Sequence, residues 1–163
     1  MAFGRHLSTM APIDCSKGQT MASRVLSSFL AAQHRALDQL MEDADNACGT
    51  PQGAAAFARF REAMEHHLEI EERVLFPEFA RRTGPGGPLV VMRQEHDAIR
   101  GLLSANQSGG DAACRALFDT MTVLVSQHHL KEENVLYPMS DTLLAGCAED
   151  LLAAMREAPA VHG

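Results

Sequence analysis

Large aromatic residues are nearly absent from this 163-residue sequence, which has no Trp, one Tyr and seven Phe. Strand-favouring aromatics are therefore scarce, while Ala, Leu and Met are plentiful, a balance that favours helices over sheets. No stretch approaches the roughly 18 apolar residues that a membrane span needs. The opening MAFGRHLSTMAPIDCSKGQT also lacks the apolar core of a secretory signal. No basic cluster exists beyond the pair Arg81 and Arg82, and the formal net charge is −7. Binding to nucleic acid or to an anionic membrane is not expected of such a chain. Its four cysteines, Cys15, Cys48, Cys114 and Cys147, include no C-x-x-C pair. That excludes a thiol redox motif and a zinc ribbon and leaves free thiols as the expectation. The reading is a cytoplasmic protein whose partners are small molecules or metal ions, with the oligomeric state left open.

What the sequence does contain is punctuated helix. The length suits one domain with its own apolar core. Breaks rich in Gly, Pro and Asn occur at NACGTPQG (46–53), TGPGGP (83–88) and NQSGGD (106–111), and they separate four long segments. Pro51 and Pro88 suit a first helical turn and Asp111 suits an N-cap, which predicts helices near 20–45, 52–82, 88–106 and 111–138. Residues 1–19 read as a flexible tail and 20–139 as the bundle. Residues 140–163 read as a further helix and tail, with Leu144, Cys147, Leu151 and Met155 packing it on the outside. The fold expected is all-α: an up-down-up-down antiparallel four-helix bundle with an additional C-terminal helix.

The two halves of the chain repeat. Leu30, His34, Leu37 and Met41 recur 62 positions later as Met92, His96, Ile99 and Leu103. Phe57, Phe60, Met64, His67, Glu71 and Val74 recur 61 positions later as Phe118, Met121, Val125, His128, Glu132 and Val135. These positions follow the i, i+3, i+4 rule, so four histidines and two glutamates stand on stripes that face the core.

Two carboxylates on core faces need a compensating positive charge, because burying each unpaired costs several kcal/mol. No Lys or Arg shares their stripes, and a pair of metal ions would supply the charge. Each glutamate has two oxygens and can bridge two ions, while the histidines complete each side. The ligands assigned are His34, His67, Glu71, His96, His128 and Glu132. Nitrogen and carboxylate oxygen without thiolate points to iron, with manganese second, and magnesium or calcium disfavoured. Zinc is placed behind both, since the H-E-x-x-H motif is missing and two open positions per ion do not suit a closed tetrahedral site. Phe60, Met64, Met121 and Val125 should make the surroundings dry. His66 and His129 are expected to face solvent or stand behind the ligands. Glu72 and Glu133 are placed at the rim, where either could accept a hydrogen bond from a ligand histidine. Tyr137 is placed at a helix end.

The segments His67-Leu-Glu-Ile-Glu71-Glu72-Arg-Val-Leu-Phe-Pro77 and His128-His-Leu-Lys-Glu132-Glu133-Asn-Val-Leu-Tyr-Pro138, preceded by Gln-His34 and Glu-His96-Asp, resemble the hemerythrin HHE cation-binding family over residues 25 to 138. The resemblance implies a four-helix bundle with a non-haem, oxo- or hydroxo-bridged centre of two iron ions. Members bind dioxygen or nitric oxide, sense oxygen or iron, or help to repair iron–sulfur clusters. The oxygen carriers of the family have a second histidine where this chain has Arg100, so the pattern is closer to the symmetric four-histidine, two-glutamate centres of the repair proteins. The function expected is uptake of dioxygen or nitric oxide, or iron handling, without turnover. The alternative is an enzyme of oxidative or nitrosative stress that reduces nitric oxide or peroxide or repairs clusters.

Overall fold

A computed structural model describes Ile13 and residues 24–104 and 110–159. The expected tail over 1–19, with Cys15, otherwise lies outside the described residues. Every regular element among those described is helical. The α-helices are α1 (Val25–Asn46), α2 (Gly53–Ile70), α3 (Phe76–Thr83), α4 (Pro88–Leu103), α5 (Gly110–Lys131), α6 (Tyr137–Leu143) and α7 (Ala148–Glu157). A π turn, Glu71–Leu75, joins α2 to α3, and a second, Glu132–Leu136, joins α5 to α6. Two continuous rods result, over 53–83 and 110–143. Pro88 opens α4 as expected, whereas Pro51 sits in the turn before α2 and Asp111 lies inside the first turn of α5. Gly84 ends α3: its φ of 84° is open to glycine at little cost, and its amide donates to Ala80 O at 2.8 Å.

The π turns are the local feature that periodicity alone misses. In each, the amide five residues on, Phe76 or Tyr137, donates to the carbonyl of the glutamate, Glu71 or Glu132. One extra residue per turn shifts the phase of everything that follows. Val135, expected on the core stripe, is instead 48% exposed, and Leu136 takes the buried place. Pro77 and Pro138 supply a cause. A proline inside a helix has no amide to give and crowds the carbonyl four residues back, and a widened turn just before it relieves that clash.

Burial divides the apolar side chains into two clusters. One gathers Leu26, Leu30, Leu75, Phe76, Phe79 and Leu151. The other gathers Leu37, Met41, Phe57, Phe60, Met64, Phe118 and Val125. The stripes of α1 and α4 pass through both, and their histidines fall where one cluster gives way to the other. The C-terminal helix does not lie on the outside: Leu151, Leu152 and Met155 of α7, with Leu144 and Cys147 before it, are integral to the first cluster. The chain also bends at Leu144 rather than at Ser140, because α6 continues the second rod through Leu143. Asp141, buried in α6, caps α1 from a distance, accepting from the amides of Leu26 at 3.0 Å and Ser27 at 3.3 Å and from the Ser27 hydroxyl.

The expectation of free thiols is corrected. Cys48, just past α1, and Cys114, in the first turns of α5, form a disulfide with Cα atoms 5.8 Å apart. They are 66 residues apart in sequence, and only the packing of α1 beside α5 brings them to one end of the molecule. Bridges of this kind are commonest in proteins of oxidising compartments. No helix among the described residues is long and apolar enough to cross a membrane.

Candidate metal centre

Each of the six sequence-assigned residues is buried, with exposures of 0 to 2%. They come together in the layer between the two apolar clusters. His34 comes from α1, His67 from the last turn of α2, His96 from α4 and His128 from the last turn of α5, while Glu71 and Glu132 open the π turns. His34 and His67 present their Nε2 atoms to one another at 3.2 Å. His96 and His128 form, with Glu71 and Glu132, a second set whose ligand atoms all lie within 4.8 Å of one another. The carboxylates link the two sides. Glu71 Oε2 lies 3.7 Å from His67 Nε2 and 3.3 Å from His96 Nε2, and Glu132 Oε2 lies 3.3 Å from both His34 Nε2 and His128 Nε2.

The outer nitrogens explain the inner ones. His34 Nδ1 lies 2.8 Å from Glu133 Oε1, His67 Nδ1 2.8 Å from Gln33 Oε1, His96 Nδ1 2.8 Å from Glu72 Oε1, and His128 Nδ1 3.1 Å from Glu95 Oε2. All four partners are acceptor oxygens, so each Nδ1 carries a proton, and each ring in its neutral form turns a lone pair on Nε2 inward. Two such lone pairs facing across 3.2 Å repel unless a cation or proton lies between them. Glu71 Oε2, His96 Nε2, His128 Nε2 and Glu132 Oε1 are buried with no hydrogen-bond partner. A donor set of buried, inward, unpaired nitrogen and carboxylate oxygen fits divalent metal.

Residues 25–140 match the hemerythrin HHE cation-binding domain. The chain belongs to the hemerythrin HHE family. Among curated relatives of this hemerythrin-like chain are the iron–sulfur cluster repair proteins YtfE of Yersinia pestis (strain Pestoides F) and Yersinia pseudotuberculosis (serotype O:1b, strain IP 31758). Each is 35% identical over 104 residues, covering 54% of this chain and 47% of the relative. The match thus spans about half the length of those curated relatives. No solved structure matches at a significant level.

The hemerythrin-like site has an outer layer that the sequence only partly disclosed. Glu72 and Glu133 do accept from histidines, as anticipated for either of them. Gln33 and Glu95, each directly before a ligand histidine, were the unassigned half of that layer, and their adjacency was the available signal. Arg100 also acquires a place, gripping Glu72 Oε1 at 2.8 Å and Oε2 at 3.0 Å, so that Arg100 holds Glu72 and Glu72 holds His96. Lys131 pairs with Glu95 in the same way behind His128.

Two further residues take places that the sequence left open. Tyr137 stands at a helix end, as the first residue of α6, and is fully buried at the middle of the site. Its hydroxyl donates to Glu71 Oε1 at 2.7 Å or Glu132 Oε2 at 3.0 Å and lies 2.8 Å from His34 Nε2. Of the two places expected for it, His129 takes the one behind the ligands and does not face solvent. It is 5% exposed and stacks on the His34 ring, with centroids 3.7 Å apart and planes within 8°. The face of α5 that carries Thr122 and Ser126 meets α1 by the level of His129, and packing between helices overrides the polar neighbours. His66 is half-buried and belongs to neither ligand set.

Electrostatics shows how the metal-free protein copes with this charge. Burial disfavours the His96 cation, yet the surrounding carboxylates of Glu132, Glu71 and Glu72 outweigh it and hold its pKa up at about 11. Burial and the neighbouring Glu71 carboxylate push Glu132 well up. Glu71 stays low despite its burial, because His67 and His96 stabilise its charge. Burial holds His67 down at about 4 and His34 lower still. Without metal, a proton on His96 and one on Glu132 supply the missing positive charge.

Proposed function

We propose that this hemerythrin-like chain holds two iron ions, one on His34 and His67 and one on His96 and His128, with Glu71 and Glu132 bridging them. The observation that carries the reading is the set of orphaned buried atoms, each aimed at the others and each with its outer nitrogen or neighbour already satisfied. The arrangement of the rods is taken as the up-down-up-down antiparallel bundle, closed at one end by α7. Iron bound there would supply open coordination positions for a diatomic ligand such as dioxygen or nitric oxide.

The residues of the chain then have separate tasks. Glu133, Gln33, Glu72 and Glu95 fix the ring tautomers and orientations, and Arg100 and Lys131 fix two of those carboxylates. Phe60, Met64, Met121 and Val125 exclude water from one side of the site, and Leu30, Phe76 and Leu136 exclude it from the other. Uptake of dioxygen or nitric oxide, or the holding of iron, is the function that this dry and outwardly braced centre supports best. Metal analysis and ⁵⁷Fe Mössbauer spectroscopy of protein from iron-replete cells test it. Two irons per chain are expected, and a single tetrahedral zinc would overturn the reading.

The enzyme alternative gains from one observation. Tyr137 provides a hydroxyl, kept protonated by burial and by the two carboxylates, beside the positions where a ligand would enter. That is the proton donor a peroxide- or nitric-oxide-reducing site requires. Repair of iron–sulfur clusters, the role in the names of the Yersinia proteins, is the third outcome. Steady-state turnover with excess reductant separates catalysis from stoichiometric uptake, and iron transfer to an apo acceptor separates repair from both.

A further inference from the structure

The outer layer of the centre is balanced in charge on one side and not on the other. Behind His96 and His128 stand two carboxylates, and each has its own cation. Glu72 accepts from His96 and is held by Arg100 through both oxygens, at 2.8 and 3.0 Å. Glu95 accepts from His128 and is paired with Lys131. Behind His34 and His67 stand Glu133 and Gln33. Gln33 is neutral, and among the described residues His34 is the only ion-pair partner of Glu133, which no Lys or Arg reaches. Direct contacts therefore cancel in charge on the first side and leave one negative charge on the second. One carboxylate stands further out on each side and does not alter the difference. Glu65 Oε2 lies 4.0 Å from Arg100 Nε, and Asp38 Oδ1 lies 3.3 Å from Nδ1 of His129, whose ring stacks on His34.

That difference acts on a metal through the imidazoles. A carboxylate that accepts from Nδ1 makes the ring a more basic donor through Nε2, and a cation on the same carboxylate offsets the effect. A more basic ligand favours the higher charge of a metal ion. We propose that the uncompensated Glu133 sets the two ions apart in redox potential: one electron from an external donor reduces the ion on His96 and His128, while the ion on His34 and His67 stays ferric. One ferric ion becomes ferrous, the donor loses one electron, and no bond or proton need move. A diatomic ligand that requires ferrous iron, as dioxygen does, then meets it first on the side braced by Arg100 and Lys131. Glu133 is a positioning residue in this scheme, acting through His34. The assignment rests on the two-ion reading above.

Stepwise reduction of the iron-loaded protein with dithionite, followed by EPR of the mixed-valent form and by Mössbauer spectroscopy, reads the two potentials separately. Glu133→Gln keeps an acceptor oxygen for His34 and removes the charge. It should raise the second potential and leave the first nearly in place. The mixed-valent form should then be at least about tenfold less favoured against the fully oxidised and fully reduced forms, since a unit charge one ring away is worth at least that inside a protein. Gln33→Glu adds a charge behind the same ion and should move the second potential the opposite way. Lys131→Met uncovers Glu95 on the other side and should lower the first. A disturbance of packing does not reverse its sign with the charge, and three variants on two sides keep the test open if one fails to fold. The assignment falls, with the two-ion reading intact, if variants that hold both irons leave the second potential at its wild-type value, or if Glu133→Gln moves the first potential instead. Wild-type protein that binds no iron would overturn both.

Discussion

The Tyr137 hydroxyl lies 2.7 Å from Oε1 of Glu71, across 66 residues of chain. One proton serves three neighbours there, because Glu132 and His34 are equally within reach. Replacing Tyr137 with Phe keeps the ring and removes the proton donor. Both ions should be retained and stability should change by about 1 kcal/mol, the usual net value of one hydrogen bond. Any sustained turnover of peroxide or nitric oxide should fall sharply in steady-state assays. Loss of metal from this variant would instead make the hydroxyl part of the ligand set.

Carboxylates at different depths should rank in their effect on metal. Glu71→Ala or Glu132→Ala removes a bridge and should abolish tight binding of both ions. Glu72→Ala and Glu133→Ala only release an Nδ1 and should cost about 10–100-fold in affinity. His66→Ala should leave binding unchanged. Chelator titration measures all five, and equal losses from His66→Ala and His67→Ala would refute the placement of these side chains.

Stability of the metal-free protein should fall on both sides of about pH 6.5. On the alkaline side, His96 has a folded value near 11 against an ordinary 6.5. Its contribution is complete below 6.5 and is lost as pH rises toward 11, and the raised Glu132 adds in the same sense from 4.5 upward. On the acid side, His67 and His129 are depressed to about 4 and 3, so the unfolded chain takes up protons first and stability drops below 6.5. Bound metal replaces the proton on His96, so the loaded protein should lack the alkaline limb. Urea unfolding at pH 5, 6.5 and 9.5, with and without chelator, decides the matter. A metal-free form equally stable at pH 6.5 and 9.5 would contradict it.

Asp141 should matter to α1 more than to the metal. Its carboxylate serves two α1 amides, and Asp141→Ala should cost about 1–2 kcal/mol, as for loss of an N-cap. Thermal melting should register the loss, whereas metal stoichiometry should not change. Asp141→Asn, which keeps one acceptor oxygen, should fall between Ala and wild type.

By itself the sequence determined the helices, the repeat and the six inward residues, because apolar stripes at helical spacing, interrupted by histidine and glutamate at matching positions, are local properties of the chain. The family resemblance was legible for the same reason, since its two H-x-x-x-E segments are contiguous. The phase of Val135 and Leu136 was not read, although Pro77 and Pro138 carried the hint, since the apolar spacing ahead of a π turn gives no sign of the extra residue that follows. Only the tertiary structure could place Tyr137 against Glu71, stack His129 on His34, join Cys48 to Cys114 and seat α7 in the core. Each of those depends on which helix lies beside which and at what height, and that is set by packing between distant segments rather than by any pattern within one.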